Sequence, residues 1–215
     1  MRLDSRIASI VSNIDKCEVI ADIGCDHGKV AVYLAKNGYA KKVIASDISE
    51  KSVEKAKELA IASNLTNIID IRVGNGTSVI KDNECDTIII AGMGGITIKE
   101  ILSSDKRVFK RMVLSPQSDV RLVREYLKDN FLLPIKDYKV ECKGKYYDVL
   151  VIENGNYKPL ECELEYGSGL GSDFDSFYDY ERKRLEFIIN HADIEKAKQA
   201  KMQLDLLEQV KRRKK

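Results

Sequence analysis

The chain has 215 residues, 44% apolar and 33% charged, with 36 basic against 34 acidic side chains and a net charge of +2. That composition fits one large domain, or one domain plus an appendage, with a full hydrophobic core. It excludes a disordered or fibrous chain, and no stretch reaches the roughly 18 uninterrupted apolar residues of a membrane span.

Leu3, Ile7, Ile10, Val11 and Ile14 fall at helical spacing, so a short amphipathic helix is expected over residues 3–14. The same opening, MRLDSRIASI, carries charge where a signal peptide needs apolar residues. Glu18 to Ile23 predicts a buried strand ending at Gly24. A helix follows over Lys29–Lys36, then a second strand over Lys42–Ser46 that stops at Asp47. Ser49 is placed to cap a long helix through Ser63. Strands are expected at Ile68–Val73, Thr87–Ala91 and Arg111–Leu114, and helices at Ile96–Leu102 and Val120–Lys128. Strands alternate with helices and are apolar on both faces, which predicts a mostly parallel sheet covered on both sides.

After Phe131 the rhythm changes. Asp137–Cys142 and Tyr146–Ile152 flank Lys143-Gly144-Lys145 and read as a hairpin, so the sheet should finish with an antiparallel pair. Residues 155–172 are rich in glycine and read as a linker. From Asp173 onward two heptad-like helices flank a turn at His191–Asp193, an antiparallel coiled-coil hairpin in which Glu181 interrupts the apolar stripe. The expected organisation is an α/β domain over 1–155, then linker and helical hairpin over 156–215. The first 172 residues carry 25 charges of each sign, so any basic face must come from arrangement. The five cysteines, at 17, 25, 85, 142 and 162, include no CxxC pair, which disfavours a disulfide framework or a cysteine zinc site. A reduced, cytoplasmic protein is expected.

In an open parallel sheet, ligands bind beyond the C-terminal ends of the strands. The first strand ends in Asp22-Ile23-Gly24-Cys25-Asp26-His27-Gly28. This DxGxxxG loop lacks the GxGxxG of a dinucleotide site, and its extra carboxylate would repel a pyrophosphate. It suits a ligand with a cationic centre and an amino group, such as S-adenosylmethionine. The second strand ends on Asp47, 19 residues past Gly28, where an acid can bond both ribose hydroxyls. Asn75, between Gly74 and Gly76, is free either to meet an adenine edge or to form a plain turn. The fourth strand runs into Gly92-Met93-Gly94-Gly95, which brings backbone close to whatever lies over the sheet. No metal is expected, since His27 and His191 have no partners at ligand spacing.

Over residues 18–153 the chain resembles a class I S-adenosylmethionine-dependent methyltransferase. Nearly its whole length resembles the bacterial tRNA adenine-N1 methyltransferase family that acts on adenine 22 of tRNA. The features that carry this are RLDSR at the start, DIGCDHG at 22–28, Ser46-Asp47, GNG at 74–76, AGMGG at 91–95, LSPQSD at 114–119 and the helical hairpin. The resemblance implies a Rossmann-like fold and a cofactor site made by Asp22, Gly24, Cys25, Asp26, His27, Gly28, Asp47, Ile48, Asn75, Gly76, Gly92 and Met93. Asp26 replaces the middle glycine of the usual methyltransferase loop, and Asn75 stands where a carboxylate is common.

The implied reaction is transfer of a methyl group to adenine N1, with Asp26 as the candidate catalytic group. Tyr146 and Tyr147 are candidates to stack on the base, although core packing is the more ordinary fate of such residues. Arg2, Arg6, Arg121, Arg124, Lys143 and Lys145 are candidate tRNA contacts, because binding RNA requires neutralised phosphates. The hairpin can offer Arg182, Lys183, Lys198 and Lys201 to tRNA, or serve as a dimer contact. A monomer or weak dimer is expected. Two other readings stand beside this one: a methyltransferase acting on a protein or small molecule, and an inactive RNA-binding scaffold.

Overall fold

A computed structural model of the protein describes residues 3–105, 107 and 109–213. Seven strands form one sheet in the order β3-β2-β1-β4-β5-β7-β6. The strands β1 (Cys17–Ile23), β2 (Ala40–Asp47), β3 (Ile69–Val73), β4 (Thr87–Ala91) and β5 (Arg111–Ser115) are parallel. The hairpin of β6 (Leu132–Cys142) and β7 (Lys145–Asn154) closes the sheet antiparallel. This is the mostly parallel α/β sheet with an antiparallel end that the sequence implies.

The central strands are apolar throughout because helices cover both faces. In β4, Ile89 faces the side packed by α1 (Ser5–Val11), α2 (Lys29–Lys36) and α3 (Glu50–Ala62). Ile88 and Ile90 face the other side, against Ile98 and Ile101 of α4 (Gly95–Ser103) and Val123 and Leu127 of α5 (Val120–Asp129). All three isoleucines are fully buried. The cap of α3 is the expected one: Ser52 N–H donates to the Ser49 hydroxyl.

Three elements differ from expectation. The opening helix is only seven residues, with Asp4 accepting from Ile7 N–H at its start and Ser12 closing it. Strand β6 begins five residues early, at Leu132. Pro134, which lacks an N–H, is accommodated because β6 is an edge strand and shifts register between Pro134 and Lys136. The segment read as linker contains a helix, α6 (Glu161–Tyr166), and is pinned to the sheet. Ser168 Oγ donates to Asp137 O (2.7 Å), and Leu170 forms an isolated bridge with Tyr138.

Helices α7 (Phe174–His191) and α8 (Ile194–Arg213) form the antiparallel hairpin and bury Phe174, Phe177, Leu185, Ala200, Leu207 and Val210 between them and the sheet edge. Glu181 does sit in the buried stripe, and its charge is matched by Arg184 at 2.7 Å. No helix among the described residues is long and apolar enough to cross a membrane.

Candidate cofactor site

The strand order reverses between β1 and β4, which stay paired to Ile23 and Ile90, and the loops leaving their C-terminal ends open a crevice there, the place where open α/β sheets bind ligands. A cavity of about 450 Å³ occupies it. Its walls come from the loop after β1, the end of β2, the loop after β4, Gln117 beyond β5, and α1.

Of the twelve residues expected to hold the cofactor, Asp22, Gly24, Cys25, Asp26, His27, Asp47, Gly92 and Met93 line this cavity. Gly28 supports it from behind. It begins α2, and a Cβ there would lie 2.9 Å from the Ala56 methyl of α3, so only glycine lets the two helices meet. Gly24 is at φ +72°, and a Cβ on it would overlap the Met93 methyl, which lies directly over it. The Met93 side chain thus covers the loop after β1.

Asp47 ties the site together. Its carboxylate accepts from Asp26 N–H (3.1 Å) and Ser49 N–H (2.9 Å), which fixes the two loops relative to each other and leaves lone pairs for a ribose. Ile48 is 70% exposed beside it and offers an open apolar face. Asn75 is exposed at the start of a 3-10 turn, outside the cavity walls. Gly76 turns inward instead: a Cβ there would meet Ile101 at 3.0 Å, so its place is explained by packing against α4.

Asp26 is at φ +48° on the rim, with its side chain 72% exposed and 3.4 Å from His27 Nδ1. His27 Nε2 lies 3.0 Å from Lys55 Nζ. Cys25 is buried, and burial pushes its thiol up to about 12, so it is no nucleophile. Asp22 is only 4% exposed. Burial pushes its carboxyl up to about 7, with the Ala31 N–H opposing and the Asp47 charge reinforcing the shift. Its Oδ2 has no protein hydrogen-bond partner, and neither does the buried Nη1 of Arg6. A buried acid and a half-buried arginine with one enclosed nitrogen, both facing one cavity, fit a ligand carrying charges of both signs, which S-adenosylmethionine does. Among the described residues no group of side chains forms a metal site.

The expected tRNA contacts divide. Arg2 lies outside the described residues. Arg6 lines the cofactor cavity rather than the outer surface, with its guanidinium 5.2 Å above the Tyr147 ring. Lys143 and Lys145 are exposed at the β6–β7 tip, which projects from the cavity end of the sheet.

Arg121 is engaged by three carboxylates, Glu125 (2.9 Å), Glu161 (2.6 Å) and Glu165 (3.2 Å), and offers no net charge to a phosphate. Arg124 is corrected outright. It is 0% exposed, paired with Asp137 (2.8 Å) and Asp148 (2.5 Å), and donates to the Leu164 and Glu165 carbonyls. Such an arginine holds the fold and does not touch RNA. Tyr146 packs against Phe177 and Tyr180, both at 5.5 Å, so it belongs to the helical hairpin's core.

Gln117, Lys29 and the α1 residues Ile7 and Ile10 also line the cavity, although the sequence did not mark them as site residues. Gln117 is held by its N–H donating to Met93 O (2.8 Å), and it falls within the LSPQSD stretch already noted.

A sheet of this order, with an acid closing β1, a second acid closing β2 and the ligand crevice at the reversal, defines a nucleoside-cofactor methyltransferase fold. Residues 3–150 match the methyltransferase domain family. More narrowly, the chain belongs to the family of tRNA (adenine(22)-N(1))-methyltransferases: it is 36% identical to the Bacillus subtilis (strain 168) enzyme of that name over 160 residues, 73% of this chain and 67% of that one. The crystal structure of the B. subtilis m1A22 tRNA methyltransferase superposes with a TM-score of 0.84 at 29% identity, covering 97% of this chain and 98% of that one. A relative from M. capricolum, solved with S-adenosyl-homocysteine, superposes with a TM-score of 0.86 over 97% of each chain. At 24% identity that likeness speaks for the fold alone.

Proposed function

We propose that the protein transfers the methyl group of S-adenosylmethionine to N1 of adenine 22 in tRNA. The observation that carries this reading is the cavity itself: Asp22, Asp47, Gly24 and Gly92 converge at the sheet reversal in a chain of this family. In this reading residues 1–155 are the catalytic part, and 156–215 attach an arm for the RNA. The exposed Lys143 and Lys145 stand at the cavity end of the sheet, where the tRNA backbone would pass. A tRNA substrate also makes the cytoplasm the place of action.

S-adenosylmethionine supplies an electrophilic methyl for an in-line displacement. Adenine N1 carries a lone pair and attacks without first losing a proton, so orientation supplies most of the acceleration. Asp47 would hold the ribose, and Ile48 would cover one face of the cofactor adenine. Asp26, on the rim, would accept from the N6 amino group of the incoming base and offset the positive charge that grows on the ring. N1 faces inward in a paired helix, so the base must leave the stack to reach the cavity.

The test is to incubate the purified protein with S-adenosylmethionine and unmodified tRNA, digest the product, and map the methylated nucleoside. N1-methyladenosine at position 22 is expected. Methylation at another atom or position, or none with a competent tRNA, would overturn the assignment. A protein or small-molecule acceptor would then become the next reading to test.

A further inference from the structure

We infer that the side-chain amide of Gln117 recognises the target adenine by its N6 and N7 edge, and so leaves N1 free to take the methyl group. This deepens the proposed function and rests on it.

The strand order sets which end of the crevice meets the substrate. Asp47, at the end of β2, marks the ribose end of the cofactor, and β1, β4 and β5 follow from there in space. Gln117 is the only cavity wall that the loop after β5 supplies among the described residues, so it stands at the end away from the ribose. The β6–β7 tip lies on that side too, because β7 starts at Lys145 and pairs antiparallel with β5. A base delivered beside Lys143 and Lys145 therefore passes Gln117 on its way to the methyl group.

The backbone of Gln117 is fixed while its side chain is free. Its N–H donates to Met93 O (2.8 Å), and on either side Gly92 N–H donates to Ser115 O (3.3 Å) and Gly95 N–H to Ser118 O (2.8 Å). A Cβ on Gly95 would lie 2.2 Å from Asp119 O, so a glycine is needed for the two loops to close. The neighbouring Ser118 hydroxyl is spent on Asp119 (2.7 Å), whereas no described residue holds the Gln117 amide. Its Nε2 stands 3.8 Å from where a Gly92 Cβ would be, over the loop after β4.

The chemistry of the base selects the contact. N1 must point at the methyl group, so no residue can occupy it. The polar atoms left are the N6 amino group and N7, a donor beside an acceptor, and one amide answers both: its carbonyl accepts from N6 and its NH2 donates to N7. The amino group has two hydrogens. Gln117 takes the one on the N7 side, and the one on the N1 side remains for Asp26, across the crevice on the loop after β1. Guanine presents acceptors at both O6 and N7, so the same amide disfavours it.

The test pairs a residue change with an atom change. Unmodified tRNA is compared with the same tRNA carrying 7-deazaadenine at position 22, which replaces N7 by a C–H and keeps N1 and N6. Wild type should lose about 10–100-fold in kcat/KM on the deaza substrate. Gln117→Ala should lose a similar factor on the normal tRNA and then treat the two substrates alike, since the contact is already gone. Its affinity for S-adenosylmethionine, by calorimetry, should match wild type. Equal sensitivity of wild type and Gln117→Ala to the missing N7 would overturn the inference and leave Gln117 as support for the loop after β4. A wild type that methylates both tRNAs equally well would overturn it too, with the methyltransferase reading intact. A wild type that leaves adenine 22 of the normal tRNA unmethylated would defeat that reading, and this inference with it.

Discussion

Replacing Asp22 with asparagine should make the protein more stable as it makes it useless. The side chain is buried, and burial raises its carboxyl from 3.8 to about 7. Between those two values the folded state binds a proton that the unfolded state has already lost, so stability falls as pH rises through this window. Above it the full cost stands, about 4 kcal/mol for a shift of roughly three units. Asparagine keeps the shape and never ionises. Its advantage over wild type should therefore widen by about 2–3 kcal/mol between pH 5 and pH 8. Urea unfolding of both proteins at several pH values, without ligand, measures this directly. Saturating S-adenosylmethionine should then reverse the order at pH 8, because only the wild type retains the carboxylate that answers the ligand's ammonium. A difference between the two proteins that stays flat from pH 5 to 8 would refute the claim that burial raises the Asp22 carboxyl.

Arg124→Met leaves Asp137 and Asp148 buried without their main partner and should cost about 3–5 kcal/mol in urea unfolding; a loss of tRNA affinity with unchanged stability would contradict its burial. Lys143→Ala with Lys145→Ala should weaken tRNA binding and reduce its salt slope by about 2, leaving cofactor affinity untouched. Asp26→Asn keeps a residue that tolerates φ +48°, so the Asp26 N–H can still hold Asp47. Cofactor affinity should survive while turnover on tRNA drops by about 10–100-fold, and full turnover would remove Asp26 from the chemistry.

The sheet and most of the cofactor crevice were legible because each rests on a local pattern. Apolar runs such as TIIIA can only be strands buried on both faces, and Asp22 and Asp47 are found simply by asking what each strand ends on. What was not legible depends on contacts far apart in sequence. Nothing local distinguishes Arg121 and Arg124 from surface arginines. Only the fold brings Glu161 and Glu165 to the first, and Asp137 and Asp148 to the second. Arg6 lies in an ordinary amphipathic helix, and its place on the cavity follows from where α1 crosses the sheet. Helix α6 is six residues long among glycines, too short to display a period. Gln117 stands in a stretch already noted, but its place on the cavity follows from its backbone bond to Met93, across two loops.

The glycines between α6 and α7 fix how the helical hairpin meets the sheet. A Cβ at Gly167 would strike Asp137 and Arg124, one at Gly169 would meet Val210, and one at Gly171 would meet Tyr138. The segment is laid flat against strand β6, and the buried Arg124 ties α5, β6, β7 and α6 into a single knot. These contacts bind the helical arm closely where it joins the sheet. From that joint α7 extends about 27 Å beside the cavity end of the sheet. If tRNA is held both there and at the β6–β7 tip, as the proposed function would have it, any bending needed to free a base would fall on the RNA.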